Sequence, residues 1–224
     1  IVDVNTHLTD LIQWETFPEV TLSPADINVV QARTWNTPVT LEQFTTSTSL
    51  TAWPDYLKKD LDANGVLQCK ANGEFTYSIK GVFAKASVLW NFQPPTGAGD
   101  THFSLMRGTR ASLIIQQGEA EGYKPVLYVE PRRAPGVKKE ELEAALKTAI
   151  ATLNKTYPGI AYEAHETGWR INIPASYAVG HEAHFGQVME KYLGYLQNGD
   201  MPAWEVPNMI VKYHTLMQAY SKSR

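Results

Sequence analysis

One cysteine, Cys69, stands among 224 residues. A single thiol excludes an internal disulfide framework. It sits in Val66-Leu67-Gln68-Cys69-Lys70, which reads as a strand, where a lone cysteine serves as a small hydrophobe. Excess charge is also missing. Twenty Lys and Arg against 23 Asp and Glu leave a net charge of −3, which gives no basic footprint for nucleic acid. No apolar run approaches the ~18–20 residues of a membrane span. No G-x-G-x-x-G follows a predicted strand, so the dinucleotide loop is absent. No G-x-x-x-x-G-K-S/T is present to cradle a phosphate. There is no internal repeat and no low-complexity linker. There is also no initiator Met: the chain opens on Ile1. The expectation is an excised domain of a longer protein, which leaves the compartment open, cytoplasmic or exported.

What remains is enough for one large domain, or one with a small subdomain. The first fourteen residues, Ile1 to Trp14, read as an α-helix with three arcs. Asp3, His7, Asp10 and Trp14 fall within about 60° of one another. Val4, Leu8, Leu11 and Ile12 form an apolar arc, expected to face the core. Asn5, Thr6, Thr9 and Gln13 form a polar arc, expected to face water. A carboxylate–imidazole–carboxylate–indole stripe beside a core arc suggests a helix at the edge of a cleft. Asp3 and His7 are spaced i, i+4, so their side chains are able to meet. Imidazole exchanges a proton near neutral pH, and a carboxylate one turn away fixes its tautomer. The plainer reading is an intrahelical pair with no chemistry.

Downstream, Ile27 to Trp35 reads as a strand. Thr40 with Gln43 resembles a capping box, and Pro54 sits where a helix starts. From Gly73 the chain is β-rich: Phe75 to Ile79, Gly81 to Phe92, His102 to Met106, Ala111 to Gln116 and Val126 to Val129. Turn residues separate these runs, which predicts an antiparallel sheet. Lys138 to Asn154 reads as a helix, followed by strands over Ala161–His165 and Trp169–Ile173. This helix plus hairpin, 135–175, is a candidate subdomain. Two closing helices complete the chain. The first runs from Gly180 or His181 to Gln197, with Phe185, Val188, Tyr192 and Leu196 predicted inward. The second runs from Val206 to Tyr220, with Met209, Ile210, Tyr213, Leu216, Met217 and Tyr220 predicted inward.

Other constellations have two readings each. His181 and His184 are i, i+3, a spacing that suits a shared metal with a distant third ligand, a contact to substrate, or a plain helix start. The loop Pro94 to Asp100 is glycine-rich, so it either folds over a substrate with Asp100 and His102 or simply connects two strands. Arg107, Arg110, Arg132 and Arg133 read as solvent-facing.

Asp3-x-x-x-His7-x-x-Asp10 with Leu11 and Trp14 resembles the start of the C-terminal domain in the glucose–fructose oxidoreductase/inositol dehydrogenase (Gfo/Idh/MocA) family. Arg107-Gly108-Thr109-Arg110-Ala111 is similar to that family's Gly-Thr-(Lys/Arg) turn. The segments His184-Phe185, Tyr192-Leu193, Pro202, Asn208, Lys212-Tyr213, Ala219 and Ser221 are similar to its closing helices.

The resemblance implies an α+β fold: a large, predominantly antiparallel open sheet with helices on one face, spanning 1–224. It implies His7 as acid/base and Asp3 as its orienting carboxylate, with Asp10 where the family often has an acid, catalytic or structural. From the stripe, spacing and loop read above, Asp10, Trp14, His181, His184, Asp100 and His102 are candidate substrate contacts. The substrate would be a sugar, cyclitol or related polyol. NAD or NADP would be held by the chain's own N-terminal Rossmann domain, together with the Lys of a Glu-Lys-Pro segment. Neither the Gly-rich loop nor Glu-Lys-Pro is in this sequence, so the chain alone is expected neither to bind NAD(P) tightly nor to turn over efficiently. Subunit contacts are implied through the open sheet face, for which Val82, Ala84, Ala86, Val88 and Trp90 are candidates. Two rivals stand beside this reading. One is a non-catalytic binding or assembly domain that keeps the fold. The other is a metal-dependent hydrolase site built from His7, His181 and His184.

Overall fold

The computed structural model describes residues 1–224. In chain order the elements are α1 (Asn5–Thr16), β1 (Ile27–Val39), α2 (Leu41–Thr48), β2 (Leu67–Ile79), β3 (Val82–Val88), β4 (His102–Arg107), β5 (Ala111–Gln117), β6 (Val126–Pro131), α3 (Lys139–Leu153), β7 (Ala161–His165), β8 (Gly168–Asn172), α4 (His181–Asn198) and α5 (Glu205–Lys222). Every strand pairing is antiparallel, as the closely spaced runs and short turns predict. The strands divide into two sheets instead of one, ordered β1-β2-β3 and β4-β5-β6-β8-β7. The chain divides with them: Ile1–Gln93 plus Asn198–Arg224 form one unit, and Pro94–Gln197 form the other.

In the first unit, β2 and β3 join through Lys80-Gly81, both at positive φ. Such a two-residue turn matches the right-handed twist of its strands. Phe75, Tyr77, Ile79 and Ala86 point to one face and are buried with Leu22, Val211 and Leu216. Burial of each large side chain stabilises the unit by roughly 1.5–3 kcal/mol. The helices α1 and α5 cover this face. The other face is hydrophilic: Arg33 and Lys85 both pair with Glu74, at 2.8 and 2.9 Å, beside Thr76 and Ser87. Arg33, then Lys85, hold the Glu74 carboxyl below its usual range. This corrects the expected subunit face. Ala86 is buried and Ala84 packs on the core, so that phase of β3 points inward at its centre; Val82 and Phe83, at the start of the strand, are exposed.

The helix faces also differ from expectation. On α1 the supposed water-facing arc is the most buried one: Asn5, Thr9 and Gln13 are 1, 0 and 2% exposed. The apolar arc divides: Leu8 and Ile12 pack on the core as expected, while Val4 and Leu11 lie outside. Each buried donor finds a backbone carbonyl, while the amide oxygens of Asn5 and Gln13 are buried without a partner. Asn5 Nδ2 donates to Gly73 O (3.2 Å), Thr9 Oγ1 to Asn5 O (2.8 Å) and Gln13 Nε2 to Asn208 O (3.4 Å). Gly73 has no room for a Cβ, which would meet Ile1 at 2.7 Å. This close approach is what docks the start of α1 on β2. Along α5 the buried face is Asn208, Val211, Thr215, Leu216 and Ala219; Met209, Ile210, Tyr213 and Met217 are exposed. Asn208 ties the helix to the chain after α1: its Oδ1 accepts from Leu22 N (2.8 Å) and its Nδ2 donates to Val20 O (3.0 Å). The predicted capping box at α2 forms in both directions, Gln43 N to Thr40 Oγ1 and Thr40 N to Gln43 Oε1. Pro54 opens a short 3-10 turn, Asp55–Asp60.

In the second unit α3 lies on a sheet face made by Leu127, Val129, Trp169 and Ile171, with Leu142 buried between. The hairpin β7-β8 extends this sheet, since β8 pairs with β6. Residues 135–175 are therefore part of the Pro94–Gln197 unit, whose sheet they extend. The helix α4 forms over the predicted span, but Phe185, Val188, Tyr192 and Leu196 are exposed and not inward.

The Tyr77 hydroxyl is buried without a hydrogen-bond partner. Burial pushes its ionisation well above the usual tyrosine range. An unpaired buried hydroxyl costs stability, so Tyr77→Phe should raise the urea unfolding free energy by about 1 kcal/mol. Because the folded state holds the phenol neutral, wild-type stability is fully present below about pH 10, the unfolded pKa, and falls as pH rises beyond it. The Phe variant should show a shallower fall.

Candidate functional site

Asp3 and His7 both face solvent at the start of α1. The helix begins at Asn5 with Val4 as its N-cap, so Asp3 stands ahead of it. The i, i+4 alignment of a continuous helix does not extend to Asp3, and no hydrogen bond or ion pair joins its carboxylate to the imidazole. The Asp3 carbonyl accepts from Thr6 N at 2.9 Å, and the Asp3 carboxylate favours the charged form of the Ile1 amino group. The His7 side chain is engaged in no structural contact. Trp14, two turns on, is 56% exposed. Asp10 differs: its carboxylate pairs with Lys212 Nζ at 3.2 Å, and that lysine is largely buried. Of the four residues on this stripe, Asp10 is the one committed to holding α1 against α5.

The remaining candidates lie in the second unit. Asp100 is exposed, and its carbonyl accepts from Gln117 Nε2 at 2.9 Å. Gly99 packs so closely on Tyr123 that a Cβ would come within 3.1 Å of it. The glycine-rich loop is thus pinned down at this end as a strand connection. His102 is a half-buried member of β4, opposite Gln117. His181 stacks edge-on against Phe185 with ring centres 4.8 Å apart. His184, one turn later, is exposed and lines a cleft of about 330 Å3 with Tyr157 and Tyr177. Neither tyrosine stood out in the sequence, because an aromatic near a helix end looks the same whether it packs or projects. A second concavity, of about 530 Å3 in the first unit, is lined by Val29, His214, Met217 and Lys222. Within either unit, no three His, Cys, Asp or Glu side chains come together to hold a metal. Burial raises the Cys69 thiol's pKa, which makes it a poor nucleophile.

A family model described as "Putative oxidoreductase C terminal domain" matches residues 1–224. The chain belongs to this family. A crystal structure of a putative oxidoreductase from Parabacteroides merdae is similar to it throughout: 46% identity over 99% of this chain, with a TM-score of 0.94. The chain spans 50% of that protein's length. No curated protein matches it. In this oxidoreductase C-terminal domain the residues that carried the resemblance have visible work. Gly108 and Ala111 close the β4-β5 turn with a 2.9 Å hydrogen bond, Asn208 and Lys212 fasten α5 to its neighbours, and Ala219 is buried where α5 meets the core.

The Asp10 carboxylate is partly exposed, so its pairing with Lys212 is partly screened. Asp10→Asn should lower the unfolding free energy by no more than about 1 kcal/mol. The loss should shrink in 1 M NaCl, where the Debye length is about 3 Å. Denaturant titrations at two salt concentrations check both points.

Proposed function

We propose that this domain is the substrate side of an NAD(P)-dependent oxidoreductase acting on a sugar, cyclitol or related polyol. His7 is the acid/base at the substrate hydroxyl or carbonyl, and Asp3 assists it. The observation that carries this reading is a contrast within α1. The face bearing Asn5, Thr9 and Gln13 is buried against the fold, and Asp10 is engaged with Lys212. Asp3, His7 and Trp14 are left outward, and no side-chain hydrogen bond or ion pair holds any of them. An ordered helix that presents an unspent imidazole, carboxylate and indole suits a site completed by another part of a longer protein. A chain that spans half its structural relative supports that.

The proton chemistry needs only this chain's groups. Neutral His7 takes the proton from a substrate hydroxyl as the carbon is oxidised, and the imidazolium returns it in the reverse direction. A carboxylate beside it stabilises the charged form. The nicotinamide nucleotide finds no fit here. The strands are all antiparallel, so no strand–loop–helix unit with a glycine-rich turn is present to take a pyrophosphate. NAD or NADP therefore belongs, in this proposal, to a Rossmann domain outside these residues. A homo-oligomer is part of the proposal too. Its contact is not the Glu74 face of the three-stranded sheet, where forming it would desolvate Arg33, Glu74 and Lys85. It lies instead on the five-stranded sheet's Phe103–Leu105 face, both of whose side chains are exposed.

In the full-length protein, His7→Ala should lower kcat by about 10²–10⁴-fold with the fold intact by circular dichroism. Asp3→Asn should act on kcat by a smaller factor. Unchanged turnover in His7→Ala would remove His7 from the chemistry and favour the binding-domain reading.

A further inference from the structure

The cleft of the second unit has a lining that points to a ligand class. Its walls are the Tyr157–Ile160 loop after α3, the Ile173–Val179 segment after β8 and the first turns of α4. The loop is held in place by one side chain. Asn154 Oδ1 accepts from Gly159 N at 2.7 Å, and Asn154 Nδ2 donates to Ile160 O at 2.6 Å and to Ile150 O at 2.9 Å. Gly159 adopts φ of +94° and faces Pro174 so closely that a Cβ would stand 3.0 Å from its ring. The tyrosines are fixed as well. Tyr177 donates its hydroxyl proton to Pro158 O at 3.1 Å, and its ring meets Tyr157 edge-to-face at 5.8 Å. Fixed in this way, both rings still leave much of their surface to solvent, 48% for Tyr157 and 36% for Tyr177. Rigid aromatic surface held open in a concavity is a feature of ligand sites.

The chemistry of the lining is selective. Ile173 and Val179 add apolar surface beside the rings. Ser176, His184 and Gln187 bring polar side chains that make no hydrogen bond within the protein. No Asp, Glu, Lys or Arg lines the cleft. Such a surface suits a molecule with an apolar face, hydroxyls around its edge and no charge. At about 330 Å3 the cleft is at the small end of the roughly 300–1,000 Å3 of ligand sites, which suits one ring better than an extended chain. We infer that this cleft binds a single uncharged, polyhydroxylated ring, a pyranose or a cyclitol. The ring stacks on Tyr157, and its hydroxyls meet Ser176, His184 and Gln187. The inference stands on the cleft alone and does not need His7 to be catalytic.

Saturation-transfer NMR and calorimetry with methyl α-glucopyranoside, myo-inositol and glucose 6-phosphate test it. At least one neutral ring should bind with a dissociation constant of about 1 mM, the weak end of the specific range. Tyr157→Ala should weaken that binding at least tenfold, and Tyr157→Phe should retain it. The phosphate should bind no better than the neutral rings. His7→Ala should leave ring binding unchanged. The inference is overturned if no neutral ring binds, if Tyr157→Ala binds as well as wild type while folded, or if the phosphorylated ring is preferred. Loss of ring binding in His7→Ala but not in Tyr157→Ala would also overturn it, because the ring would then sit at His7; the redox reading would survive. Inactive His7→Ala enzyme with normal ring binding would support both.

Discussion

The polar seam under α1 fixes how the first unit is put together. Asn5 reaches the Gly73 carbonyl on β2, Thr9 bonds back to its own helix, and Gln13 reaches the Asn208 carbonyl on α5. Buried polar groups are costly unless paired, so a seam of this kind tolerates few rotations of the helix about its axis. A purely apolar seam would permit several. The seam therefore sets which residues look outward. Asp3, His7 and Trp14 are outside because Asn5, Thr9 and Gln13 are inside. Gly73 makes the approach feasible, since any side chain there would collide with Ile1.

The same arrangement explains where sequence reading succeeded and where it failed. Features with a local cause were legible. The capping box at Thr40 needs only its own turn, the β4-β5 turn needs only Gly108 to Ala111, and the strand runs show in alternation and turn residues. The Asp3–His7–Asp10 spacing with the Gly-Thr-Arg turn was enough to point to the family. Helix orientation was not legible. Assigning a core face by apolarity assumes that a helix buries its greasiest side. Here α1 and α5 bury Asn and Gln among their apolar residues, and Asn5, Gln13 and Asn208 bond to backbone carbonyls of distant segments, Gly73 and Val20 among them. Nothing in the spacing of Asn5, Thr9 and Gln13 reveals those carbonyls. The exposed Met and aromatic stripes of α4 and α5 were misread by the same assumption.

The site was legible in part. Residue type and spacing singled out His7 and Asp3, and the structure leaves both side chains exposed. Asp10 looked equivalent in the sequence, but Lys212, 202 positions away, engages it. Tyr157 and Tyr177 were invisible as a pair, because their meeting depends on how the loop after α3 folds around Asn154. Long-range contacts thus decided both the demotion of one candidate and the appearance of a second cleft.

The orientation of α1 is the claim on which the rest depends, and single-cysteine labelling tests it directly. In a Cys69→Ser background, His7→Cys, Leu11→Cys and Thr9→Cys are each exposed to a maleimide under native conditions. Rapid labelling at 7 and 11 with protection at 9 is the predicted result. Protection at 11 with rapid labelling at 9 would mean that α1 sits on its apolar arc, and the outward placement of His7 would fall with it.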